Sequence, residues 1–148
     1  MTLFFPDLNV WLALSVADHA HRSVAANYLS RLTANDRLIF SRYTQLGLLR
    51  LLTNPAVMGD QTLTLKEAWR VYDSWLEDPR VEFYLEPRGV DSKLRSITKL
   101  FASLPASKAI GDCWMLAFAA EIQAILVTFD GALYGHAKKL GYSAMIPA

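Results

Sequence analysis

Three aspartates stand where this sequence could do chemistry. Asp7 follows the short apolar run Leu3-Phe4-Phe5, Asp130 follows the longer run Ala124 to Phe129, and Asp112 sits among Ala109, Ile110, Cys113, Trp114 and Met115. Each has an ordinary reading. An aspartate after a strand caps a turn or a helix, and one in the first turns of a helix complements the macrodipole. The apolar flanks of Asp112 argue for more, because an ionised carboxylate in such surroundings is costly unless a positive group meets it. Three carboxylates gathered at one place repel each other unless they are protonated or bound to cations, and oxygen-only ligation with open water positions suits Mg2+ or Mn2+. Two such ions about 3.5–4 Å apart can activate a water and stabilise the leaving oxygen of a phosphodiester. Asp7, Asp112 and Asp130 are therefore the candidate metal ligands of a nuclease.

The surrounding elements must bring these side chains together. Pro6 cannot donate to a sheet ladder, so the first strand, Leu3 to Phe5, is expected to end there. Val10, Trp11, Ala13, Leu14 and Ala17 then recur at helical spacing, with Asp7 or Asn9 as N-cap. A second helix carries Val24, Ala25, Tyr28, Leu29 and Leu32 on one face. Leu38-Ile39-Phe40 reads as a buried strand, Ser41 as the cap of a helix running to Asn54-Pro55, and residues 54–59 as a loop. Thr64 and Glu67 are spaced as a capping box for a helix that ends near Asp78-Pro79. Val81 to Leu85 alternates as a third strand. Two helices follow, Val90 to Leu104 with Leu94, Ile97, Leu100 and Phe101 inward, and Ser107 to Ile122. Ala124 to Phe129 is a fourth strand buried on both faces. A short helix through Leu133, Tyr134 and Lys138 leads to a last strand around Ala144 to Ile146.

Strands alternating with helices predict a single α/β domain over residues 1–148, in three layers, with a central and mainly parallel sheet of four to five strands. Open parallel sheets carry their sites at the carboxyl ends of the strands, where strand order reverses. If the first and fourth strands are neighbours, Asp7 and Asp130 project into one crevice, and Asp112 comes from the helix that leads into the fourth strand.

Composition limits the alternatives. The 148 residues are 53% hydrophobic and 11% aromatic with a formal charge of +1, which is unlike a disordered chain and enough for a real core. The single cysteine makes no intrachain bridge and no zinc cluster, and Cys113 has apolar flanks and no neighbouring histidine, so it reads as a core residue. No apolar run reaches the ~18–20 residues that a membrane span needs, and the expected location is the cytoplasm. Fifteen basic residues against 14 acidic ones give no general case for nucleic acid, so such a function must come from a local site. Lys93, Arg95, Lys99 and Lys108 form a basic stretch before Asp112 that could hold phosphates if it lies beside the crevice, and Arg42 and Arg50 are alternatives. His19 and His21, two apart at a helix start, are expected to point in different directions, and with His136 they read as surface or capping residues. The four tryptophans serve either the core or a dimer interface.

The segments FPDLNVWLAL, TQLGLLRLLTNP, GDCWMLAFA and LVTFDGAL, in this order and at these intervals, resemble the PIN-domain ribonucleases, above all the VapC-type toxins of toxin–antitoxin pairs. The resemblance covers nearly the whole chain. It implies a Mg2+- or Mn2+-dependent endoribonuclease that cuts RNA, forms a homodimer and is neutralised by a small cognate antitoxin. It also implies residue roles: Asp7 as the first acidic position with Asn9 as its small polar companion, Asp112 and Asp130 as the third and fourth, and Thr128 as the hydroxyl residue before the last. Many family members carry a Glu early in the third helix, where this chain has Gln45. Its amide can orient a water but supplies no charge, so the resemblance implies a weaker second metal or one that depends on the RNA phosphate. Two rivals remain open at this point. One is a binding module weakened by Gln45, and the other is an aspartyl-phosphate enzyme with Asp7 as nucleophile.

Overall fold

The computed structural model describes residues 1–148. Its centre is a five-stranded sheet of β1 (Leu3–Pro6), β2 (Arg37–Phe40), β3 (Val81–Phe83), β4 (Ile125–Val127) and β5 (Ala144–Met145), in the order β3-β2-β1-β4-β5. All four pairings are parallel. The chain therefore leaves β1 toward one edge and returns beside it as β4, so strand order reverses between these two. Phe5 pairs with Leu126 and Pro6 with Val127, which puts the residues after both strands at the same level. Pro6 ends β1 inside the pairing with β4, one residue later than its missing N–H suggests. It is tolerated because β2 has stopped pairing by then, and the next amide, that of Asp7, donates to Val127 O at 2.9 Å.

Eight helices cover the sheet: α1 (Leu8–Ser15), α2 (Arg22–Ser30), α3 (Arg42–Leu52), α4 (Pro55–Met58), α5 (Leu65–Glu77), α6 (Val90–Thr98), α7 (Ala109–Glu121) and α8 (Gly131–Lys139). The period-two alternation of the strands divides the core into two clusters. Leu38, Phe40 and Val127 pack with Trp11, Leu48, Leu52 and Tyr72 on the side of α1, α3 and α5. Phe5, Ile39, Leu126 and Ala144 pack with Ile97, Leu116, Phe118 and Leu133 on the side of α6, α7 and α8. Trp11 stacks on Phe40 with ring centroids 3.8 Å apart, and Trp75 donates its indole N–H to Ser15 Oγ at 2.8 Å, so these two tryptophans serve the core. Trp69 is 43% exposed on α5. No helix is long and apolar enough to cross a membrane.

Several boundaries differ from expectation for local reasons. Residues 54–59 are not a plain loop. Asn54 accepts from the Ala56 amide, Pro55 occupies the first helical position, and the short α4 forms, followed by a 3-10 turn at Gly59–Gln61. The helix expected to reach Leu104 ends at Thr98, tightens into a 3-10 turn over Lys99–Phe101, and leaves Leu100 exposed rather than inward. The following helix starts at Ala109, so Ser107 and Lys108 lie before it. Thr128 and Phe129 fall beyond β4, and β3 and β5 are shorter than their apolar runs.

Candidate active site

Asp7, Asp112 and Asp130 line one cavity of about 120 Å³ at the carboxyl edge of the sheet, over the β1/β4 junction. Its other walls are Leu8, Asn9, Tyr43, Met115 and Leu133. Asp7 and Asp130 reach it through similar local structure, each as the N-cap of the helix that follows a strand, directly after β1 for Asp7 and two residues further on from β4 for Asp130. Asp7 Oδ1 accepts from the Val10 amide at 3.1 Å and caps α1. Asp130 Oδ1 accepts from the amides of Ala132 at 2.9 Å and Leu133 at 3.2 Å and caps α8. Of the two sequence alternatives for the α1 cap, Asp7 is the one used, and Asn9 lies in the first turn with its side chain on the cavity wall. Asp112 is in the first turn of α7.

Thr128 connects two of the acids. Its hydroxyl is fully buried, donates to Asp7 Oδ2 and accepts from the Asp130 amide at 2.9 Å. Burial pushes the Asp7 carboxyl above its ordinary range, an effect opposed by the bonds from Thr128, Val10 and Asn9 and reinforced by the charge of Asp130. Asp112 is also pushed up, first by burial and then by the charge of Asp130, with His136 acting in the opposite sense. Two carboxyls are thus held in surroundings that disfavour their charge, and a bound cation would reverse that balance. No three acidic, histidine or cysteine side chains close on one point as a preformed metal cage. Mg2+ does not need one, because it keeps several waters and takes only one or two carboxylates directly. The oxygen-only donor set fits such an ion.

Gln45 is not part of this cavity. It is buried on the other side of α3, where its amide oxygen accepts from Arg42 Nη1 at 2.5 Å. Burial raises the pKa of the Tyr72 phenol, while Arg42 and a hydrogen bond from Gln45 oppose the rise, which places the amide against α5. At about 100° per residue Gln45 points some 200° away from Tyr43, and Tyr43 is the α3 residue that reaches the acids. Close packing fixes this orientation: a Cβ on Gly47, one turn after Tyr43, would lie 2.2 Å from the Leu8 side chain. Tyr43 was legible only as a residue at i−4 from a helical glycine. Its ring lies 5.2 Å from that of Trp114, and its hydroxyl faces Gly111.

The weaker candidates are placed as follows. His19 and His21 do not diverge, since their rings are 5.8 Å apart and His19 Nδ1 accepts from the His21 amide at 3.0 Å. His21 stacks on Phe129, beside Asp130, at 4.5 Å. Cys113 is buried, as its flanks suggest. Arg42 lies over the Phe83 ring and on Gln45, away from the acids. Arg95 pairs with Asp91 at 2.9 Å on the exposed face of α6.

A family model described as "PIN domain" matches residues 4–139. Ribonuclease VapC41 of Mycobacterium tuberculosis is 37% identical over 130 residues, which cover 85% of this chain and 88% of that protein. Among solved structures, VapBC-1 from nontypeable Haemophilus influenzae matches with a TM-score of 0.70 at 16% identity, over 98% of both chains. Mycobacterium tuberculosis VapC20, described as a sarcin-ricin loop cleaving toxin, matches with a TM-score of 0.66 at 14% identity, over 89% of this chain and 93% of its own. The two structural likenesses bear out the three-layer fold with its parallel sheet. The family match and the 37% identity go further: the chain belongs to the PIN-domain family, among its VapC proteins.

Proposed function

We propose that the chain is a Mg2+- or Mn2+-dependent endoribonuclease, the toxin of a VapBC-type pair, acting on RNA in the cytoplasm. The observation that carries this reading is the convergence of Asp7, Asp112 and Asp130 on one small cavity at the β1/β4 junction. Asp7, Asp112 and Asp130 would hold the ion, which when bound would lower the pKa of a water and polarise the scissile phosphate. Thr128 keeps Asp7 available as a carboxylate by donating to Oδ2, and the Val10 amide fixes the other oxygen. Asp130 spends Oδ1 on the start of α8, which leaves Oδ2 to face the cavity. Asn9 and the Tyr43 hydroxyl offer uncharged donors at the wall, suited to phosphate oxygens. A small cognate antitoxin and a second copy of the chain are the partners this reading assigns.

Gln45 does not line the cavity, which speaks against a module weakened by that side chain, while the cavity itself holds three carboxylates. The test is cleavage of an RNA panel with Mn2+, Mg2+ or EDTA, by the wild type and Asp7→Asn. Metal-dependent cleavage abolished by Asp7→Asn is expected. Cleavage that persists in EDTA, or is indifferent to Asp7→Asn, refutes the metal mechanism, and phosphate covalently held on Asp7 would favour the aspartyl-phosphate chemistry instead.

A further inference from the structure

The carboxylate cavity is too small to be the whole substrate site. At about 120 Å³ it lies below the ~300–1,000 Å³ usual for a pocket that encloses a small organic group. A second opening of about 520 Å³ lies between the end of α6 and the start of α7. We propose that this groove receives an unpaired base of the RNA beside the cleaved bond and so determines which sequences are cut. The inference rests on the ribonuclease reading and deepens it.

Position, lining and charge support it. Ala109, Ile110 and Cys113 of α7 line the groove, while Asp112 and Met115 of the same helix line the cavity. The two openings therefore share one end of α7. The Phe101 ring, which lines the groove, meets His136 at 5.3 Å. Phe101 offers an aromatic surface on which any base can stack. Leu104 and Ile110 form an apolar lip, 62% and 54% exposed, which calls for a partner. Arg95 and Lys99 stand at the groove, and no acidic side chain lines it. Lys99 is in no ion pair, and the Arg95–Asp91 pair is open to solvent, so both cations can turn to phosphates. Two members of the basic stretch, Arg95 and Lys99, thus stand at this groove, whereas Lys93 lies over the Tyr142 ring. A polyanion with flat apolar bases matches this combination of lip, ring and cations.

The experiment compares cleavage of a short single-stranded RNA with versions that lack one base near the cut, using wild type, Leu104→Glu and Phe101→Ala. Leu104 is exposed, so its substitution opens no core cavity, and melting curves control for the partly buried Phe101. The wild type should lose about 5-fold or more in kcat/KM when one flanking base is absent. Leu104→Glu should raise KM for the intact RNA by a similar factor at unchanged kcat, and should make intact and base-lacking RNAs equivalent. Lys99→Gln should lower the salt dependence of RNA binding by about one counterion. Unchanged KM and base dependence in Leu104→Glu overturn the proposal while leaving the ribonuclease reading intact. Normal RNA cleavage with weakened capture of an acidic peptide or the antitoxin also overturns it and gives the groove to a protein partner. If the wild type cuts no RNA, the ribonuclease reading fails, and fluorescence anisotropy of the same RNA in EDTA decides the groove. Binding lost in Leu104→Glu then upholds it, and absent or unchanged binding refutes it.

Discussion

Replacing Thr128 with Val tests the electrostatics of the site without changing its shape. Thr128 is fully buried, and its hydroxyl donates to Asp7 Oδ2 while accepting from the Asp130 amide. Valine keeps the volume but leaves a carboxylate oxygen and an amide unpaired. A hydrogen bond to a charged group contributes about 1.5–3 kcal/mol, and losing it disfavours only the ionised form of Asp7. Protons then compete better with the metal, which corresponds to roughly a 10- to 150-fold loss of kcat/KM on the acid side of the pH profile. The loss should shrink toward zero as pH rises and Asp7 ionises in both proteins. The assay is kcat/KM for RNA cleavage against pH at Mn2+ below saturation, with thermal melts to confirm folding. Melting should fall by roughly 3–12 °C at neutral pH. A rate lowered equally at every pH, or an acid limb that stays in place, would refute the role assigned to the hydroxyl.

Other perturbations bear on the same site. Asp7 and Asp112 have raised pKa values in the fold, so they stabilise it at acid pH and lose that contribution as pH rises through their folded values. Mg2+ or Mn2+ at about 100 times its Kd should therefore add roughly 2.7 kcal/mol at neutral pH and little in acid, read as melting temperature against pH with and without EDTA. An increment independent of pH would contradict this. Gln45→Glu should leave metal affinity and cleavage rate within about twofold of wild type, because the new carboxylate meets Arg42 rather than the cavity; tighter Mn2+ binding by titration would show the placement to be mistaken. Gly47→Ala forces the Leu8 side chain to move and should cost about 1–3 kcal/mol in denaturant melts, with part of the loss recovered by adding Leu8→Ala.

The three acids were legible because strand ends are well marked in sequence. Apolar runs stopped by Pro6-Asp7 and Asp130-Gly131 marked two of them, while their meeting depended on the first and fourth strands being neighbours, which the pairing of β1 with β4 supplies. Capping chemistry was equally plain at Ser41 and at Thr64 with Glu67, where side chain and backbone bond reciprocally. The rotation of α3 was not legible. It depends on Leu8 seating against Gly47, a contact between helices that no local pattern announces, and it decides that Tyr43 rather than Gln45 faces the acids. The end of α6 escaped for a related reason: apolar spacing continues through Leu100 and Phe101 although the backbone has already tightened into a 3-10 turn.

Asp7 and Asp130 each tie down the first turn of a helix with one oxygen. Alanine at either position would therefore remove a helix cap, at about 0.5–2 kcal/mol, together with one of the ligands proposed for the metal. An inactive alanine protein would leave it undecided whether chemistry or folding had been lost; asparagine retains the capping oxygen and removes the charge at residue 130, while at residue 7 it also forfeits the bond accepted from Thr128. The same coupling acts on natural variation: a lineage that disarms this protein at either aspartate by a non-capping residue also produces a less stable chain, so loss of activity and loss of abundance would be inherited together.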